Sequence, residues 1–216
     1  MSDRVVCISR TVGAGGEQIG RGIAHQLGFR YVDEEIVAKA AEKARMDLGT
    51  ITAAEHRQPL VRRLLDAIGL PHGMPDMLSY LRPADTEYRY HLTSPVAAGE
   101  TDDPRAFIRA AIKDIAGEGR VVIVAHAASL ALAGRAGVLR VLITASPQTR
   151  AERLSVRLLK QDADAAVRES DQQRREYIRR FYDIAEELPT HYDVVLNTDV
   201  LSPAQAVAIV VAAAGT

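Results

Sequence analysis

The opening of the chain constrains its fold most. A short apolar run, Val5-Val6-Cys7-Ile8, leads into Ser9-Arg10-Thr11-Val12-Gly13-Ala14-Gly15-Gly16-Glu17-Gln18, and apolar residues then recur at helical spacing as Ile19, Ile23 and Leu27. A continuous, mostly β-branched run is the pattern of a strand covered on both faces. Glycines between a strand and a helix let backbone N–H groups turn inward around an anion, and the helix start adds partial positive charge. The segment therefore predicts a parallel α/β sheet whose first loop is placed to meet phosphate, a P-loop position.

The same rhythm continues downstream. Tyr31-Val32, Val121–Ala125, Val138–Thr144 and Val194–Asn197 read as four more buried strands. Helical faces lie between and after them: Phe107, Ile108, Ala111, Ile112 and Ile115, then a Ser202-capped helix carrying Val207, Val210 and Val211. Strands alternating with helices imply a doubly wound parallel five-stranded sheet. From Ser146 to about Leu188 the pattern is helical and dense in arginine. Residues 36–104 break the rhythm, and a stretch so long between two strands reads as a helical insertion. The expected organisation is a core of residues 1–35 and 105–216 with that insertion between them.

Composition narrows the function classes. A formal net charge of −1 gives no electrostatic footprint for nucleic acid or an anionic membrane. Cys7, the single cysteine, lies within an apolar run, which fits a reducing compartment. No signal peptide is visible, and the longest apolar stretch, near Ala204–Ala214, is too short to span a bilayer. The expectation is a cytoplasmic protein with small-molecule partners, no nucleic acid and no membrane; apolar faces on the insertion would permit a homodimer.

The loop departs from G-x-x-x-x-G-K-[ST]. With Gly15 as the second motif glycine, Arg10 stands at the first, Gly16 at the lysine and Glu17 at the hydroxyl residue. Arg10 is then the candidate replacement for the lysine, and Glu17 is suited to Mg²⁺ as a hard oxygen ligand or else points along the helix surface. A dinucleotide site fits less well, because G-x-G-x-x-G requires glycine where Gln18 stands. A turn whose glycines serve packing alone is the plain alternative.

The ordered pieces resemble the cytidylate-kinase-like family of P-loop proteins. They are Ile8-Ser9-Arg10 with Gly13-x-Gly15-Gly16, then Leu27-Gly28, Tyr31-x-Asp33-x-Glu35-Ile36, Gly119-Arg120-Val121-Val122-Ile123-Val124, Arg150-x-x-Arg153, Asp171-x-x-Arg174-x-x-Tyr177, Phe181-Tyr182 and His191-Tyr192-Asp193-x-x-x-Asn197-Thr198. The resemblance implies a P-loop core, a nucleotide-acceptor insertion at 36–104 and an arginine-bearing lid at about 155–176. It implies ATP and Mg²⁺ as cofactors and CMP or dCMP as acceptor. In this family a glycine commonly stands at the lysine position, as Gly16 does here. The chain departs from the family pattern at Glu17, usually a basic residue, and at Ala125-His126-Ala127, where the family typically has Gly-Arg-Gly.

On this basis the candidate catalytic residues are Arg10, Arg153, Arg157, Asp171 and Arg174. Gly13, Ala14, Gly15, Gly16, Glu17 and Gln18 form the cofactor-binding loop, and Asp33 and His126 are the acceptor candidates. Arg153 and Arg157, four apart, share a helical face and are able to reach one phosphate; pairing with Glu152 or Asp162 would explain them as well. For Asp171 and Arg174, three apart, an intrahelical ion pair is the alternative to a lid role. No protein-only metal site is expected. The leading functional expectation is an ATP-dependent nucleoside-monophosphate phosphotransferase; the alternatives are a nucleotide-binding sensor of the same fold with degenerate catalysis and a kinase with a shifted acceptor.

Overall fold

The computed structural model describes residues 4–33, 104–125, 128–156 and 158–215. The insertion, His126 and Arg157 thus lie outside the described residues. Within them the chain runs β1 (Val5–Arg10), α1 (Gly16–Leu27), β2 (Arg30–Asp33), α2 (Pro104–Gly117), β3 (Val121–Val124), α3 (Ala128–Ala131), β4 (Val138–Thr144), α4 (Pro147–Leu154), α5 (Lys160–Tyr182), β5 (Val194–Asn197) and α6 (Pro203–Gly215). All strands pair in parallel, in the order β2-β3-β1-β4-β5. This is the expected doubly wound α/β fold.

The alternation of side chains along the strands explains the two layers. Val5 and Cys7 of β1 face Ile108, Ala111, Ile112 and Ile115 of α2, with Tyr177 and Ile178 of α5 closing the same cluster. Val6 and Ile8 face the other way, onto Ile19 and Ile23 of α1 and Val207 and Val210 of α6. A continuous apolar strand is thus satisfied only with helices on both faces. Each fully buried isoleucine, such as Ile23 or Ile123, contributes roughly 2–3 kcal/mol relative to exposure. Ser202 caps α6 as anticipated: its Oγ accepts the Gln205 N–H at 3.3 Å, and Gln205 Oε1 accepts the Ser202 N–H at 2.9 Å.

The arginine-rich helical stretch comprises two helices, α4 and α5. Ser146 Oγ accepts the Thr149 N–H at 3.3 Å and Pro147 opens α4, a standard start. The chain leaves helix after Leu154 and re-enters it at Lys160. Asp183 ends α5 in a left-handed conformation, φ 54°. Because every strand is parallel, the carboxyl ends of β1 to β5 share one edge of the sheet, where α/β folds gather their ligands. Arg10, Asp33, Thr144 and Asn197 all stand at that edge. No described helix is long and apolar enough to cross a membrane.

Candidate functional site

The glycine loop joins β1 to α1 at this edge. Its shape requires glycine at two points for different reasons. Gly13 has φ +78°, and a Cβ there would meet Arg150 O at 2.8 Å and Arg150 Cβ at 3.0 Å. At Gly16 an added Cβ would meet Arg10 Cβ at 2.7 Å and Cδ at 2.9 Å, so its bareness lets the arginine lie against the helix start. Gly15 caps the helix at φ +81° with nothing within 4 Å of the missing Cβ.

Six consecutive carbonyls of this segment each receive a donor. Arg10 O accepts Arg174 Nη1 at 3.3 Å, Thr11 O the Ala14 N–H at 3.1 Å, and Val12 O Arg150 Nη1 at 3.4 Å. Gly13 O accepts Arg153 Nη1 at 3.2 Å, Ala14 O the Thr198 hydroxyl at 2.9 Å, and Gly15 O the Ile19 N–H at 3.1 Å. Among the described residues, by contrast, the N–H groups of Gly13, Gly15, Gly16, Glu17 and Gln18 have no acceptor. Carbonyls turned to protein donors and N–H groups left open make a cradle for an anion at a helix start.

The arginines that arrange the carbonyls are themselves fixed. Arg150, 3% exposed, donates Nη1 to Asp171 Oδ1 at 2.8 Å and Nη2 to Oδ2 at 2.5 Å, and its Nε reaches Ala145 O at 3.1 Å. Asp171 therefore fastens α5 to α4; it is not the intrahelical partner of Arg174. Arg174, 5% exposed, donates Nε and Nη2 to Glu187 at 2.8 and 2.5 Å and Nη2 to Tyr192 Oη at 3.2 Å. The Tyr192 hydroxyl also donates to Glu187. Burial alone would lower the Arg174 pKa, but the bonds and charge of Glu187 outweigh it and raise it. Burial works against the Glu187 carboxylate too, yet Arg174 brings its pKa below the ordinary value. Burial pushes the Tyr192 hydroxyl up to about 12.

Arg153 links the loop to the end of β5: Nη1 meets Thr198 Oγ1 at 3.0 Å and Nη2 meets Thr198 O at 2.6 Å. Its partners are backbone and Thr198, not the Glu152 or Asp162 pairing that sequence left open. Removing this fork leaves Gly13 O and Thr198 O without it, so Arg153→Ala is expected to destabilise the fold by about 1–2 kcal/mol. The same variant is expected to weaken nucleotide binding about tenfold, since a displaced loop carbonyl opposes an anion. Arg153→Lys recovers little, because an ammonium lacks the two-pronged fork. Thermal melts and calorimetric titration with ATP check both effects.

Arg10 reaches Glu17, with Nη2 2.7 Å from Oε1; Arg10 is 13% exposed and Glu17 43%. Asp33 lies 3.8 Å from Arg21, whose guanidinium stacks 4.3 Å over the Tyr31 ring. The structure therefore brings Arg10, Gly13–Gln18, Arg153, Asp171 and Arg174 around one loop, with Asp33 at the neighbouring strand end. Arg150, Thr198, Glu187 and Tyr192 were not anticipated as site residues. Arg150, Tyr192 and Thr198 do lie in the motifs that carry the resemblance. Glu187 answers Arg174, the charged member of the buried stripe Ala163, Val167, Ser170, Arg174, Tyr177 and Ile178 on α5, since a buried charge demands a partner. Among the described residues no group of three or more His, Cys, Asp or Glu would hold a metal.

No curated protein gives a significant match to the chain. Among solved structures, an uncharacterized protein from Eubacterium ventriosum ATCC 27560 superposes with a TM-score of 0.66 at 14% identity, covering 99% of each chain. Shikimate kinase from Bacteroides thetaiotaomicron superposes at 0.53 with 16% identity, again over 99% of each chain. These likenesses show the fold, a five-stranded parallel α/β sheet with helices on both faces. The cytidylate kinase-like family matches residues 5–200, and family and fold together support a nucleotide kinase-type function. With nearly its whole length matched, the chain belongs to the cytidylate kinase-like family.

Proposed function

We propose that the protein is an ATP-dependent phosphotransferase acting on a nucleoside monophosphate, with CMP or dCMP as the acceptor class. The observation that carries this reading is the loop whose carbonyls at residues 10–15 all have donors while the N–H groups of Gly13, Gly15, Gly16, Glu17 and Gln18 stay open. Phosphoryl transfer asks a protein for positioning and charge neutralisation more than for covalent chemistry. The open N–H groups take the donor phosphates, and Arg10 at the same helix start supplies positive charge. Arg153, Arg174 and Asp171 are positioning residues in this reading: the first two hold loop carbonyls, and the third holds Arg150, which holds another. Asp33 is proposed for the acceptor side together with His126, and Arg157 for the lid. Mg²⁺ fits the donor set through the Glu17 carboxylate, a single hard oxygen ligand suited to a cation that keeps water and phosphate as its other ligands. When bound, it neutralises phosphate charge.

The test is production of ADP from Mg²⁺-ATP by purified protein with a panel of nucleoside monophosphates. CMP and dCMP are expected to give ADP and the matching diphosphate. Absence of turnover with every acceptor would overturn the kinase reading. The second reading, a nucleotide sensor with degenerate catalysis, is favoured by the engagement of both Arg10 and Arg174 with internal carboxylates. Tight ATP binding without turnover would select it.

A further inference from the structure

The pairing of Arg10 with Glu17 sets a problem that the phosphate-binding reading does not by itself solve. Arg10 lies across Gly16, held there because no Cβ occupies that space, and its guanidinium meets Glu17 at 2.7 Å. The Arg10 charge beside the start of α1 is therefore matched by a carboxylate on the first turn of the same helix. A polyphosphate arriving alone would meet that carboxylate as a like charge on the same first turn that carries the open N–H groups. Glu17 is nevertheless 43% exposed, so its carboxylate has room to turn away, while Arg10, 13% exposed, then needs another negative charge in its place. No cluster of three or more acids, His or Cys is present among the described residues to cage a metal, so a divalent cation would be recruited together with phosphates. A carboxylate plus phosphate oxygens and water is a ligand set that Mg²⁺ favours.

We propose that Glu17 is a metal-gated counter-ion for the phosphate loop. In the nucleotide-free protein it neutralises Arg10; when a nucleotide arrives with its divalent cation, Glu17 turns to the cation and releases the Arg10 guanidinium to the phosphates. Binding of the donor is thereby tied to the metal through one side chain. The inference rests on the loop being a phosphate site and adds how that site rejects metal-free anions.

The experiment is calorimetric titration of ATP into wild-type protein and Glu17→Gln, in EDTA and in excess MgCl₂, with MgCl₂ alone as control. In wild type, ATP in EDTA is expected to bind at least about tenfold more weakly than Mg²⁺-ATP, and MgCl₂ alone to give no heat of binding. Glu17→Gln removes the like charge and is expected to bind metal-free ATP about five- to tenfold more tightly than wild type. Its gain from Mg²⁺ is expected to shrink to about threefold or less, since a neutral amide is a poorer ligand. Glu17→Ala should behave in the same way, which separates charge from side-chain length. If wild type binds ATP but both variants keep its metal dependence, the gate is wrong and the phosphate loop stands. If no protein binds ATP in either condition, the loop reading falls and the gate falls with it.

Discussion

Replacing Gly13 with alanine is expected to abolish nucleotide binding and to cost the fold about 2–4 kcal/mol, from left-handed backbone strain and overpacking together. The methyl group would sit 2.8 Å from Arg150 O and 3.1 Å from Arg150 Cα, which are backbone atoms that do not step aside. Arg150 is pinned in turn by Asp171 and by the Ala145 and Val12 carbonyls. Relief therefore requires the loop to move and the open N–H groups to lose their common orientation. Gly15→Ala makes the control. It has a similar φ but open space around the new methyl, so strain alone of about 1–2 kcal/mol is expected. Denaturant titration of the two variants should differ by the clash at Gly13. Equal losses would show that Arg150 yields, and that the loop is softer than its contacts indicate.

Glu187→Ala is expected to be the most destabilising single change at the site, by about 3–5 kcal/mol, because it strands a buried guanidinium. Arg174 is 5% exposed, and Glu187 accepts both its Nε and its Nη2. Arg174 also holds Arg10 O, so nucleotide affinity should fall with stability. Replacing both partners, Arg174→Met with Glu187→Leu, should recover part of the stability but not the affinity, since an apolar pair leaves no uncompensated charge and no donor for Arg10 O.

The same pair predicts a pH dependence. The Glu187 pKa is depressed below its ordinary 4.5, so its contribution is fully present above that value and is lost as pH falls through the lower folded value. Tyr192 is raised from 10.0 to about 12, so its contribution is present below about pH 10 and lost as pH rises toward 12. Unfolding free energy measured from pH 3 to pH 7 should fall at the acid end in wild type, and Glu187→Ala should flatten that part of the profile.

The framework of the protein was legible in the sequence because it follows from local patterns. β4 and β5 lie where continuous β-branched runs place them, and Ser202 opens α6 as its spacing to Gln205 requires. The linkage of the site was less legible. Asp171 and Arg174 are three apart on one helix, yet they bond to Arg150 and to Glu187, 21 and 13 residues away. Helical spacing identifies neighbours on a surface, but a buried arginine chooses its partner by tertiary packing. Glu17 is similar: its position in the first turn was evident, and its guanidinium partner followed only from the way Arg10 folds across Gly16. The acceptor-side expectations for the insertion, His126 and Arg157 lie outside the described residues.

The central claim is that the N–H groups of the glycine loop receive phosphate. Its most direct measurement is the change in backbone amide resonances of ¹⁵N-labelled protein on titration with Mg²⁺-ATP. The amides of Gly13, Gly15, Gly16, Glu17 and Gln18 are expected to shift downfield along one saturable curve, as amides do on donating a hydrogen bond to a charged acceptor. Saturable shifts located elsewhere, with these five amides unmoved, would contradict the account.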